Sequence, residues 1–323
     1  MTDTNSNRQA RTHVVAGVLR DSSGQVLLAQ RPTGKEWAGY WEFPGGKVDS
    51  TEGAAHALVR ELHEELGIIA QVGRGLISVP YADIVLDVHE IASWRGRMQA
   101  REGQSLAWVR PANIDVQLLP PADRPVLNAL RLPDRYLITP IPASKDDPQF
   151  LAALENALRS GVRLVQLRLP GWSRDAVAPL ARAVRDCCRA HDAQLLLHAD
   201  WQLAELLGLD GVHLPARIAL GLRDRPIRSE RWLAVSCHNA EEIAHAAAIG
   251  ADFITVSPIE PTPSHAGSAA IGWQRAAALI ADAPLPVYVL GGMGPIDIGT
   301  AQRGGAQGIA AIRALWPEHQ SNR

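Results

Sequence analysis

Between residues 135 and 290, short apolar runs alternate with Ala- and Leu-rich stretches, and this alternation restricts the second part of the chain more than any other feature. The runs lie at 135–139, 162–167, 194–198, 210–214, 232–236, 252–256 and 286–290. Each is short enough for a strand and apolar enough to be covered on both faces, and each gap has room for a crossover helix. Repetition of that unit specifies a parallel sheet. Seven clear strands, a weaker eighth at 307–310 and a span of about 185 residues favour a closed (β/α)8 TIM barrel over an open doubly wound sheet.

Upstream the pattern is different. Residues 13–20 and 26–30 alternate around Asp21-Ser22-Ser23-Gly24, which predicts a β-hairpin leading to a Gly-Gly loop and a helix. Further strands are expected at 76–80, 84–93 and 105–109. The segment Leu118-Leu119-Pro120-Pro121-Ala122-Asp123 interrupts them, a helix follows from Arg124, and Pro133-Asp134 reads as a linker. At 323 residues the chain exceeds the usual size of one hydrophobic core, so two α/β domains are expected, 1–133 and 134–323.

Bulk properties narrow the function. Apolar residues make up 46%, charged residues 20%, and the formal net charge is -2, which describes a globular protein without a nucleic-acid-coating surface. The opening MTDTNSNRQART has no apolar stretch of secretory length, and no later run reaches eighteen apolar residues, so a cytoplasmic chain with no membrane partner is expected. Cys187, Cys188 and Cys237 give neither an even disulfide framework nor a zinc spacing and are read as buried thiols. Oligomeric state is left open.

The chemistry is concentrated in WEFPGGKVDSTEGAAHALVRELHEELGI, residues 41–68. On a helix beginning near Glu52, residues Ala55, Leu58, Val59, Leu62 and Leu66 form one apolar stripe for docking on a sheet. Glu61, Glu64 and Glu65 stand at i, i+3 and i+4, so three carboxylates crowd one flank and repel one another unless a cation sits among them. A hard divalent ion suits such oxygens. Ahead of the helix, Gly45 and Gly46 allow the backbone close approach to a ligand. A solvated acidic helix face is the alternative reading of the glutamates alone.

The full spacing resembles the Nudix box: Gly46, Glu52, Arg60, Glu61, Leu62, Glu64, Glu65, Gly67 and Ile68 fill every place of its pattern. The resemblance implies an α/β/α sandwich with a mixed sheet and attack of water on a diphosphate linkage. It implies Mg²⁺, with Mn²⁺ also accepted, held by Gly45, Glu61, Glu64, Glu65 and, from outside the helix, Glu102. Arg60 would orient the carboxylates and Glu52 would support the cluster. Around the box, WEFPGGK at 41–47, REGQ at 101–104 and LPPAD at 119–123 resemble the MutT branch, which sanitises oxidised guanine nucleotides. That likeness implies a nucleoside triphosphate substrate, 8-oxo-dGTP, met by Arg31, Phe43, Gly46, Lys47 and Asp123. Trp41 and Phe43 are candidates for stacking on a base or for the edge of the core. The branch's best-known member carries Asn at the base-reading position; ionised Asp123 offers only acceptors where Asn offers a donor and an acceptor.

RYLITPIP, GVRLVQLR, LDGVHL, VSCHN, GADFITVSPIEPTPS and LGGM, spread from 135 to 294, resemble thiamine-phosphate synthase and its TenI-type relatives, which are TIM barrels. The resemblance implies a pocket at the carboxyl ends of the strands, with Gln166, Arg168 and His238 facing it and Gly291-Gly292 gripping a phosphate. A thiamine-related phosphate is the ligand it suggests. Several synthase features depart: Pro170 stands at a lysine position, His198-Ala199 at an Asn-Asp pair, Pro215-Ala216-Arg217 lack a metal-binding Asp, and His265 replaces a lysine. Asp200 could substitute at only one of these places. A degenerate barrel is therefore expected, against two alternatives: an active synthase or tautomerase, and a non-catalytic phosphate-binding module. A metal cluster of His198, His213 and His265 has no supporting spacing.

Overall fold

In the computed structural model, residues 11–144, 147–261 and 269–317 are described. The chain divides into two compact units, Met1–Arg131 and Leu132–Arg323.

The first unit is built on β1 (Thr12–Val18), β2 (Val26–Gln30), β3 (Trp41–Glu42), β4 (Gly45–Lys47), α1 (Ala54–Leu66), β5 (Ile69–Tyr81), β6 (Ile84–Arg95), β7 (Leu106–Val109) and α2 (Arg124–Arg131). One sheet runs β4-β1-β6-β5 and is mixed, because β1 pairs parallel with β6 and antiparallel with β4. The other runs β3-β2-β7. The expected turn at Asp21–Gly24 is present, held by the Gly24 N–H to Asp21 and Asp21 N–H to Gln25 carbonyl bonds and flanked by the antiparallel Arg20–Val26 bridge and the Leu27 N–H to Leu19 carbonyl bond, but the strands it joins continue into different sheets. The same alternation that suggested a hairpin serves burial on both faces. Leu27 packs with Leu58, Leu62 and Leu66 of α1, whereas Val26 and Leu28 pack with Val126 and Leu127 of α2. Side chains one residue apart point to opposite faces, so the strands lie between two helices as an α/β/α sandwich.

Helix α1 starts at Ala54, with Gly53 at its N-cap, rather than near Glu52. Its buried stripe is Ala57, Leu58, Leu62 and Leu66; Ala55, in the first turn, is exposed and Val59 is half-buried. The interrupting segment begins at the end of one 3-10 turn, Val116–Leu118, and contains a second, Pro121–Asp123, whose Asp123 abuts the start of α2.

The second unit is a closed barrel of eight parallel strands: β8 (Arg135–Ile138), β9 (Leu164–Leu167), β10 (Gln194–His198), β11 (Gly211–Leu214), β12 (Trp232–Cys237), β13 (Phe253–Val256), β14 (Val287–Leu290) and β15 (Gly308–Ala311). The weak eighth run is β15, which pairs with β8 and closes the ring. Alternate residues divide between two apolar layers. Tyr136, Leu164, Leu196, Ala234, Phe253, Tyr288 and Ala310 fill the interior, while Leu137, Val165, Leu195, Val235, Ile254 and Val287 pack outward with the helices. At the interior's centre, the rings of Tyr136, Phe253 and Tyr288 lie 5.5 Å apart in every pair. That plug makes the barrel a packed core with function confined to its ends. Cys188 and Cys237 are buried free thiols, with Cys187 half-buried.

Candidate functional site

In the first unit, the turn through Gly45 and Gly46 is pinned to β1, Gly46 opposite Val15 and Gly45 opposite Ala16. Helix α1 crosses it closely. A Cβ on Gly46 would fall on the Glu61 carboxylate and push it aside, and one on Gly45, at φ +155°, would fall on the Val15 carbonyl, so Gly45 has to be glycine. The Gly45 N–H donates to Glu65 Oε2 at 3.2 Å.

The cation among the three glutamates is Arg60. Its Nη1 reaches Glu61 Oε1 at 2.8 Å and Glu64 Oε2 at 3.4 Å, while Nη2 reaches Glu52 Oε1 at 2.5 Å and the Lys47 carbonyl at 3.1 Å. Glu52 lies in the turn before the helix, where it also accepts from the Asp49 N–H at 3.2 Å, and the Arg60 bond holds its carboxyl below the usual range. Glu65 has no such partner. Burial, reinforced by the charges of Glu102 and Glu42, pushes its carboxyl up to about 8. Among the described residues, no group of three or more His, Cys, Asp and Glu side chains is already gathered to hold a metal. The reason is visible in the bonds: Arg60 draws Glu61 and Glu64 to itself, and Glu65 turns to the Gly45 amide. The donor set still fits a hard divalent ion, since a buried carboxyl among like charges lacks the cation that would favour its ionised form.

Around these groups, Glu102 pairs with Lys35 Nζ at 3.5 Å, and Arg31 pairs with Glu42 while its Nε donates to the Glu36 carbonyl at 2.6 Å. Lys47 is exposed, and its backbone carbonyl takes the Arg60 contact. Of the two roles expected for Phe43, the core one holds and base stacking does not. Its ring is only 3% exposed and packs in the core with Val26, Leu28 and Leu127, leaving its backbone N–H to donate to Asp123 Oδ1 at 3.3 Å. Asp123 is itself buried, and that burial, with Glu42 nearby, pushes its carboxyl up to about 7. Sequence reasoning missed Glu42. Its signal was the alternation in Trp41-Glu42-Phe43, which places Phe43 in the core and turns Glu42 to the other face of the strand.

In the second unit, a cavity of about 600 Å³ opens at the carboxyl ends of the strands. Gln166, Arg168, His238, Gly291 and Gly292 all line it. Gln166 Nε2 donates to His198 Nδ1 at 3.0 Å, and the Arg168 N–H donates to Thr139 Oγ1 at 3.1 Å. His238 Nδ1 donates to the Ser257 carbonyl at 2.7 Å, and its backbone N–H donates to Glu242 Oε2 at 2.7 Å. Gly291 and Gly292 have φ of +105° and +74°, conformations that L side chains resist. His198, Ser236 and Arg313 also line the cavity and were not assigned to it from sequence. Arg313 lies just beyond β15, and its position at a strand's carboxyl end was the available signal.

Asp200 is committed elsewhere: it caps the helix Trp201–Leu206 through the Leu203 N–H and takes a two-point bond from Arg174 at 2.5 and 2.8 Å. His198 and His213 sit side by side in the β10–β11 register, while His265 lies outside the described residues, as do the first ten residues of the N-terminal stretch. Among the described residues, no helix is long and apolar enough to cross a membrane.

The NUDIX domain model matches residues 10–130, and the thiamine monophosphate synthase model matches residues 135–315. A CTP pyrophosphohydrolase of Escherichia coli is 44% identical over 36% of this chain and 88% of its own length. An 8-oxo-dGTP diphosphatase of Haemophilus influenzae is 38% identical over 36% of this chain and 89% of its own length. A putative thiamine-phosphate synthase of Geobacter sulfurreducens is 40% identical over 51% of this chain and 78% of its own length. The chain is thus a Nudix hydrolase in its first unit, and in its second it belongs to the thiamine monophosphate synthase family.

Proposed function

We propose that the first unit hydrolyses a nucleoside triphosphate to its monophosphate and pyrophosphate, with 8-oxo-dGTP as the leading substrate. The observation that carries the reading is Glu65: its carboxyl is buried, bonded among the described residues only to the Gly45 amide, and pressed by the charges of Glu102 and Glu42. Glu61, Glu64, Glu65 and Glu102, with the Gly45 carbonyl, would hold Mg²⁺, and Mn²⁺ would serve in its place. When bound, the ion neutralises charge on the phosphoryl oxygens and lowers the pKa of water. Arg60 positions Glu61 and is itself held by Glu52 and the Lys47 carbonyl. Water forms a new P–O bond to a phosphorus of the α–β linkage, the bridging P–O bond breaks to give the monophosphate and pyrophosphate, and a glutamate takes the water's proton.

Arg31 and Asp123 flank Glu42 and would meet the nucleotide. A second reading has its own observation. An ionised carboxylate at Asp123 accepts hydrogen bonds and suits the N4 amine of cytosine, so CTP is the competing substrate. Purified full-length protein with Mg²⁺ should release pyrophosphate from 8-oxo-dGTP much faster than from dGTP, and Glu64→Gln should abolish it. Equal turnover of the two guanine nucleotides would reject the leading substrate; turnover of CTP alone would select the second reading.

In the second unit, the loss of synthase charges at Pro170, His198-Ala199 and Pro215-Ala216-Arg217 supports a barrel that no longer makes thiamine phosphate. The commitment of Asp200 to Arg174 and to the cap of the Trp201–Leu206 helix removes the proposed substitute. Failure of the full chain to rescue a thiamine-phosphate-synthase-deficient strain is expected; rescue lost on Gly292→Asp would reject the reading.

A further inference from the structure

The helix glutamates share Arg60 as their cation, but Glu102 has one of its own. Lys35 Nζ lies 3.5 Å from Glu102 Oε2, and among the described residues this is the one ion pair that either side chain makes. Lys35 comes from the connection between β2 and β3, and Glu102 from the connection between β6 and β7, so the pair joins two loops beside the acidic site. Burial raises the Glu42 carboxyl against the pull of Arg31 and, more weakly, of Lys35, so the same ammonium is felt at Glu42.

Backbone bonds hold both partners in place. The Lys35 loop is closed at its neck by the Arg31 N–H to Tyr40 carbonyl bond at 2.8 Å and the Gly39 N–H to Arg31 carbonyl bond at 3.0 Å. On the other side, the Arg101 N–H donates to the Glu65 carbonyl at 3.0 Å, the Glu102 N–H donates to Gln104 Oε1 at 2.9 Å, and Gln104 Nε2 returns to the Glu65 carbonyl at 3.1 Å. Glu102 is thereby seated at the end of α1, next to Glu65. The movable member is the ammonium, on a flexible four-carbon stem whose side chain is 55% exposed. An ammonium and a hard divalent ion compete for the same carboxylate oxygens, so Lys35 opposes metal entry at Glu102. An exposed ion pair is weak and easily exchanged. Once released, the ammonium has a ready partner in the phosphates of the nucleotide.

We propose that Lys35 is an exchangeable counter-cation: it pairs with Glu102 before a divalent ion joins the site and meets the outer phosphates of the nucleotide once Glu102 holds the ion. The inference rests on the hydrolase reading of the first unit and adds to it a residue that couples metal binding to triphosphate binding.

The coupling predicts effects of opposite sign from one substitution. Electron paramagnetic resonance of Mn²⁺ with the full chain, without nucleotide, should show Lys35→Gln binding the ion about two- to fivefold more tightly than the parent, the scale of one exposed ion pair. Calorimetry with inorganic tripolyphosphate at saturating Mg²⁺ should show the same variant binding roughly three- to tenfold more weakly. Lys35→Arg should restore both affinities toward the parent. In a Glu102→Gln background, Lys35→Gln should no longer change Mn²⁺ affinity, because the competing pair is already gone. Unchanged Mn²⁺ affinity in Lys35→Gln, or metal and tripolyphosphate affinities that move in the same direction, would overturn the proposal and leave the hydrolase reading standing. Failure of the parent to bind Mn²⁺ at all would overturn both.

Discussion

The two units approach a phosphorylated ligand with opposite charges. In the first, Glu42, Glu61, Glu64, Glu65 and Glu102 surround a glycine turn, with Arg60 as the cation among the helix carboxylates. In the second, Arg168 and Arg313 line a cavity with no carboxylate among its described residues. An acidic site repels a triphosphate until a divalent ion joins it, whereas a basic pocket attracts an anion unaided. The sign of the fixed charge thus separates metal-assisted hydrolysis from direct anion recognition, even though both units present backbone glycines at a turn.

The comparison breaks most visibly at Glu65. Replacing it with Gln keeps an acceptor for the Gly45 amide but removes the carboxylate that a bound ion would draw into its ionised form. Turnover with Mg²⁺ should fall on the order of 10²- to 10⁴-fold, the range for losing a group that binds the ion or moves a proton. Phosphate binding by the barrel should be unaffected. Steady-state pyrophosphate release checks the first statement and calorimetry the second; activity within a few-fold of the parent would remove Glu65 from the machinery.

The units should also respond oppositely to acid in metal-free buffer. His198 and His213 have pKa values lowered to about 4 and about 3, both first by burial. The unfolded chain binds protons at these rings below about 6.5, before the folded chain does, so barrel stability falls as pH drops from there toward 4, by a few kcal/mol. Asp123 has the reverse sign. Its carboxyl is raised to about 7, so the folded first unit holds a proton that the unfolded chain releases above about 4, and it gains stability as pH falls through 7. Hydrogen exchange of β10 and β11 against α2, between pH 7 and 5, should show opposite slopes. Parallel slopes would refute the charge assignments in one unit.

How much of this was legible in sequence depended on whether a residue's role was local. The glutamates of α1 and the apolar runs of β8 to β14 declared themselves by spacing, because helix and strand periodicity fix which side chains share a face. The partition of β1 and β2 between two sheets did not, because alternation gives burial without naming the partner strand. Phe43 could be read as stacking on a base or as the edge of the core, and the second holds because its burial depends on α2, more than eighty positions downstream. Tyr136, His213 and Ser236 meet only because β8, β11 and β12 close a barrel, and no spacing in the chain brings Tyr136 to His213. Arg60 was expected to orient carboxylates, but its hold on Glu52 and the Lys47 carbonyl required the turn to fold back on the helix.

The smallest expected effect concerns the base rather than the reaction. Asp123 is buried against the Phe43 amide and the charge of Glu42, and its pKa of about 7 leaves it divided between ionised and neutral forms near neutrality. The neutral acid has a donor and an acceptor, like Asn; the ionised form has acceptors alone. Asp123→Asn makes the donor permanent. It should shift the ratio of kcat/KM for 8-oxo-dGTP over CTP upward by roughly tenfold at pH 8, the scale of one well-placed base contact. The shift should shrink at pH 6, where Asp123 already carries its proton. Competition assays with both nucleotides at the two pH values measure it, and a ratio unmoved by the substitution would take Asp123 out of base selection.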